Sequence, residues 1–126
     1  MGNREFTPDP DKWYGPRYAE SADDDLYRIA GRILSDLRSS QSGATLPSTL
    51  AVAIGVNEST LIVHVFVPSN QSLRIFGRPL IRAMVFRAAE RYNWKLKNNR
   101  HVTRFQVTCL VHTSRHGREM RGFLFG

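Results

Sequence analysis

Hydrophobic and polar positions divide this chain into periodic segments joined by polar breaks. From Asp23 onward, Leu26, Ile29, Ala30, Ile33, Leu34 and Leu37 recur every three or four residues, which places them on one face of a helix ending near Ser39. Ser21 or Asp23 can cap its first turn, and Asp23, Asp24 and Asp25 suit the positive end of the helix dipole. This acidic cluster is read as dipole compensation and not as a metal site. The Gln41-Ser42-Gly43 break and Pro47 follow.

Residues 49–56 alternate, with Leu50, Val52, Ile54 and Val56 on one face of a strand and the small Ala51, Ala53 and Gly55 on the other. Asn57-Glu58-Ser59 is a turn signal, so residues 61–67 return as the second strand of a hairpin. Leu61, Val63, Val65 and Val67 alternate there with Ile62, His64 and Phe66. Both faces are apolar, which predicts a central strand covered on both sides, with His64 a core histidine.

Beyond Pro68, a short helical turn is expected at about 71–76 and a main helix at 79–93, with Pro79 tolerated at its start. Ile81, Met84, Val85, Ala88, Ala89 and Tyr92 form its buried stripe. Arg78 and Arg82 fall along one margin, Arg87 and Arg91 along the other. Residues 94–101 read as a basic loop around Trp94. Residues 102–112 alternate as a strand with Thr103, Phe105, Val107, Cys109 and Val111 toward the core. A basic turn at 113–118 leads to a last strand within 119–125.

The expected fold is therefore α+β in the order α-β-β-α-β-β, a mostly antiparallel sheet with two helices packed on one face. Residues 22–126 form that single domain. Residues 1–21, with Pro8, Pro10 and Pro16, read as an irregular acidic arm. Its Trp13, Tyr14 and Tyr18 anchor the arm on the domain or, in a functional role, offer a stacking platform for bases.

Composition changes this picture through charge. The 126 residues carry +7. Residues 1–25 hold −4, residues 26–73 hold +1, and residues 74–126 hold +10. Charge of one sign concentrated in half a small domain points to a polyanionic partner, most simply nucleic acid. RNA is preferred to duplex DNA, because no helix-turn-helix or basic recognition helix is evident. The expected contacts are Arg78, Arg82, Arg87, Arg91, Trp94, Lys95, Lys97, Arg100, Arg104, Arg115, Arg118 and Arg121, directed at backbone and shape more than at base edges. A small viral or phage RNA-binding protein fits this size and charge.

One cysteine cannot build a disulfide framework or a Cys-rich zinc module, and it cannot supply the ligands of a zinc deaminase. The few carboxylates beyond residue 25 are scattered, and no Gly-rich phosphate loop or nucleophile elbow is present. No metal and no cofactor are expected, nor is a transmembrane segment, and a cytoplasmic site is inferred. An enzyme remains open in one form, a metal-independent toxin-type ribonuclease. It would use His112 and His116 as acid and base, with Arg115 and either His101 or Glu119 beside them. A third reading is a structural or assembly protein, with a homo-oligomer presenting the basic face.

Overall fold

The computed structural model describes residues 6–43, 50–68, 77–113 and 124–125. In chain order the elements are β1 (Lys12–Tyr14), α1 (Leu26–Ser42), β2 (Ala51–Asn57), β3 (Thr60–Val67), α2 (Gly77–Glu90), β4 (Trp94–Leu96), β5 (Gln106–Thr113) and β6 (Leu124–Phe125). The α+β order read from periodicity is present as α1-β2-β3-α2-β5-β6. Two short strands, β1 and β4, are added to it. The turn expected at 71–76 lies outside the described residues.

α1 buries Ile29, Ala30, Ile33, Leu34 and Leu37 as their spacing predicts. Its interior also holds Gly31, which costs up to about 1 kcal/mol relative to alanine. Burying Ile29 or Ile33 contributes about 1.5–3 kcal/mol each, so packing and not propensity holds the helix. Its N-cap is Asp25 and not Ser21 or Asp23. Asp25 takes the extended backbone that a cap requires, and its carboxylate accepts the Arg28 N–H at 2.9 Å. The helix runs on to Ser42, where the Gly43 N–H closes it on the Ser39 carbonyl at 2.9 Å.

The main sheet has the order β5-β3-β2-β6. A two-residue turn with left-handed Glu58 (φ 54°) joins β2 to β3. β2 pairs antiparallel with both β3 and β6, whereas β3 and β5 run parallel from Thr60↔Gln106 to Val67↔Thr113. A parallel pair needs a crossover, and α2 supplies it. α2 enters through Gly77 in a left-handed conformation (φ 65°), which glycine adopts without a Cβ clash. It ends at Glu90, not at residue 93, because Tyr92 and Asn93 turn the chain into β4.

Both helices pack against the face of Val52, Ile54, Leu61, Val63, Val65, Val67 and Cys109, making one core with Ile81, Val85, Ala89, Tyr92 and Phe105. β3 is central, as expected. The expectation that both its faces are covered by other elements does not hold among the described residues, where no helix lies over the second face. Phe66 is nonetheless only 8% exposed. Its ring stacks with His112 (centroids 4.8 Å) and His64 (6.1 Å), so the aromatic side chains of that face shelter one another.

Residues 12–21 are not an irregular appendage. β1 pairs antiparallel with β4, Lys12↔Leu96 to Tyr14↔Trp94, so the stretch expected as a basic loop is partly a strand. Lys95 also bridges Thr103. The result is a small second sheet beside the main one, with the arm as its outer strand.

Candidate nucleic-acid interface

Alternation within β1 separates its aromatics. Tyr14 turns inward to a ring cluster with Phe6 and Tyr18, at centroid distances of 4.9, 5.3 and 4.9 Å. Trp13 turns outward and is 44% exposed, which is high for an indole. It is the register partner of Lys95, which in turn faces Thr103, so Trp13, Lys95 and Thr103 form a row across one face of the small sheet.

This row borders a cleft of about 390 Å³ lined by Trp13, Glu90, Lys95, Leu96, Lys97 and Arg100. A smaller cleft of about 180 Å³ shares Glu90, Lys95 and Arg100 and continues past Phe86, Thr103, Gln106 and Val107. Lys95 is bound to Glu90 at 2.6 Å, so its charge is largely compensated. Lys97 and Arg100 are exposed and have no carboxylate within ion-pair distance among the described residues. The positive potential of the cleft therefore comes from these two side chains.

The other expected contact residues divide into distinct groups. Arg78 and Arg82 are exposed on the flank of α2 that carries Phe86 and Glu90, at about 100° per residue. Arg87 and Arg91 are exposed further round the helix and line neither cleft. Trp94 is half-buried beneath the Lys12 ammonium, 3.8 Å from the ring centroid, which removes one of its faces from stacking. Arg115, Arg118 and Arg121 lie outside the described residues, as do His116 and Glu119 of the ribonuclease reading.

Arg104 departs from the expectation of a surface contact. Its guanidinium donates to the carbonyls of Tyr92 (2.8 Å), Ser21 (2.5 Å) and Asp24 (3.3 Å) and to the Ser21 hydroxyl (2.9 Å). It also lies over the Tyr18 ring at 4.8 Å. Burial pulls its pKa below the usual arginine value, with Tyr18 and Asp24 acting in the opposite direction. Arg104 fastens the arm to the domain. Arg17 does the same from the other side, with its guanidinium on Asp36 (2.9 and 3.0 Å) and Glu20 (2.9 Å). Asp36 also accepts the buried Tyr92 hydroxyl at 2.5 Å. Burial first, and then this bond, hold the phenol far above its ordinary range.

No known family, curated protein or solved structure matches this chain.

Three observations bear on catalysis. Burial pushes the Cys109 thiol up to about 11, so it is no nucleophile near neutrality. Among the described residues, no three His, Cys, Asp or Glu side chains gather as a metal site, and no helix is long and apolar enough to cross a membrane. His64, read from sequence as a core histidine, instead stands on the sheet face opposite the core. Its Nδ1 is 2.9 Å from Nε2 of His112, brought there by the parallel register. Sequence gave no sign of this pair, because 48 residues separate its members.

Burial, and then the neighbouring His112, hold the His64 pKa below the ordinary 6.5. The unfolded chain then binds the proton more readily than the folded one. This contribution to stability is complete above pH 6.5 and is lost as pH falls below it toward the folded value. The melting temperature is expected to fall between pH 7 and 5 in part through this group, and His64→Phe should flatten that slope. An identical pH profile in the variant would refute the assignment.

Proposed function

We propose that this protein binds nucleic acid, single-stranded RNA in preference to duplex DNA, through the cleft beside Trp13. The observation that carries the reading is an exposed indole in register with Lys95 and sharing a cleft with the uncompensated Lys97 and Arg100. An aromatic face next to cations is what an unpaired base and its phosphate require: stacking for the base, charge for the backbone. The cleft is large enough for a group of nucleotide size. The +10 carried by residues 74–126 supplies the longer-range attraction.

The test is fluorescence anisotropy with a single-stranded oligouridylate of about eight nucleotides. Binding should weaken steeply with salt and quench tryptophan emission. Trp13→Ala should weaken it about tenfold or more. The double variant Lys97→Glu/Arg100→Glu should abolish it, while Arg87→Glu/Arg91→Glu should have the smaller effect. Affinity that is level between low and moderate salt, or unchanged by Trp13→Ala, overturns the reading.

The hydrogen-bonded imidazoles favour a second reading, metal-independent RNA cleavage. One ring would take the 2′-hydroxyl proton as that oxygen attacks phosphorus, and the other would protonate the departing 5′-oxygen. The same oligonucleotide, held with excess protein and chelator, reads this out. Intact RNA excludes it, and scission lost in His112→Ala supports it.

A further inference from the structure

β5 is an edge strand of the main sheet, eight residues long, and it contains no charge, proline or glycine. Edges of this kind are ordinarily blunted by one of those features, because an open row of backbone groups recruits other strands. The Gln106 N–H donates to the Ser59 carbonyl on the β3 side at 2.9 Å. Backbone groups alternate sides along a strand, so those of Val107, Cys109 and Val111 face outward. No described residue pairs with them there.

The surroundings of this edge have a definite chemistry. On the helix side, Phe86 lines the smaller cleft together with Gln106, Val107, Lys95 and Arg100. Arg82 lies close enough for its charge to act on Cys109. On the opposite sheet face stand Thr108 and Leu110, the latter 40% exposed. Glu90 contributes the one carboxylate of the smaller cleft, and Lys95 holds it.

We propose that the outer edge of β5 is a docking site for an extended acidic peptide, added as a further strand. Backbone pairing at Val107, Cys109 and Val111 supplies the ladder. Alternate side chains of the guest then face opposite environments. Acidic ones meet Arg82 and Arg100 on the helix side, and apolar ones lie along Leu110. A second copy of this chain fits less well. A two-fold contact sets each surface against itself, and the arginines flanking the edge would then oppose their own copies. The site shares Arg100 with the Trp13 cleft, but Arg82 and the backbone edge of β5 line no part of that cleft, so Arg82→Glu and Val111→Pro read peptide binding separately from RNA binding.

The probe is a synthetic peptide of about eight residues alternating Glu and Val, a common strand length. It should bind and protect the amides of Val107, Cys109 and Val111 from hydrogen exchange. A Lys/Val peptide should not bind. Val111→Pro removes one outward donor while leaving the β3 ladder intact, and should weaken binding about fivefold or more. Arg82→Glu should weaken it comparably, with oligouridylate affinity largely retained in Val111→Pro. Should Val111→Pro fail to fold, the Glu/Val peptide N-methylated at alternate residues makes the same test on the unaltered protein, where it should not bind. Equal binding of the Lys/Val or N-methylated peptide overturns the proposal. So does a dimer in light scattering that Val111→Pro dissolves, which would give the edge to a second copy.

Discussion

Gly15→Ala is expected to lower the melting temperature by roughly 10 °C or more and to abolish oligouridylate binding along with it. A Cβ at this position would lie 2.1 Å from the Glu90 carbonyl oxygen and 2.5 Å from that of Arg91. Both obstacles are backbone at the end of α2, so no rotamer change relieves them. The Gly15 N–H meanwhile donates to the Asn93 carbonyl at 2.8 Å, and Arg17 donates to that of Arg91 at 2.8 Å. The chain cannot retreat from the clash without breaking these bonds and pulling β1 from β4. Overpacking of this severity costs on the order of 3 kcal/mol, close to what undocking the arm would cost, so local release of the arm is the expected response. Trp13 then leaves the cleft and Trp94 loses its Lys12 cover. A red shift of tryptophan emission at a temperature where the helices persist would report that state. An unchanged melting curve would show that the close approach is not required.

The second large effect is expected at Arg104. Replacing it with alanine leaves the Tyr92 carbonyl without its side-chain donor, leaves the Ser21 carbonyl with the Asp24 N–H alone, and removes the cation from the Tyr18 ring. Hydrogen bonds to a charged donor contribute about 1.5–3 kcal/mol each, with strong overlap within one network, so a loss of about 2–4 kcal/mol is expected. Arg104→Lys separates geometry from charge. A lysine keeps the cation but has a compact ammonium in place of the planar fork, and cannot satisfy the same set of acceptors. It should therefore recover only a small part of the loss in denaturant unfolding. Full recovery would mean that charge alone matters there. RNA affinity per folded molecule should change less for Arg104→Lys than for Lys97→Glu, because Arg104 holds the arm without facing the cleft.

Which parts of this were legible beforehand follows from the range of the forces involved. The stripe of α1 and the alternation of β2, β3 and β5 are local, since burial imposes its period directly on neighbouring residues. Leu26 to Leu37 and Leu61 to Val67 could thus be assigned to faces without knowing what lay opposite. β1 could not. A three-residue strand carries almost no period, and Lys12–Tyr14 is a strand only because Trp94–Leu96 lies beside it. The same distance explains Arg104. Its partners are mainly carbonyl oxygens, which every residue possesses, so nothing in the side-chain sequence distinguishes it from an exposed arginine such as Arg100. Sequence marks Trp13 as a stacking candidate together with Tyr14 and Tyr18, and only the strand geometry divides exposed Trp13 from the half-buried tyrosine pair. The histidine pair required the parallel register of β3 and β5, which depends on the crossover through α2.

The docking of the arm also imposes an order on assembly. The hairpin of β2 and β3 joins neighbours in the chain, and α1 needs only its own turns and that hairpin to begin packing. Lys12, by contrast, waits for Leu96, and Ser21 for Arg104, contacts that close most of the length of the chain into a loop. On a ribosome, which releases a chain from its N-terminal side onward, the arm emerges well before β4 and Arg104, the partners that seat it. Until then Gly15 lacks the end of α2 and Tyr18 lacks the Arg104 guanidinium. The stacking face at Trp13 is therefore a late mark: it is built only in a molecule in which α2, β4 and Arg104 are already in place.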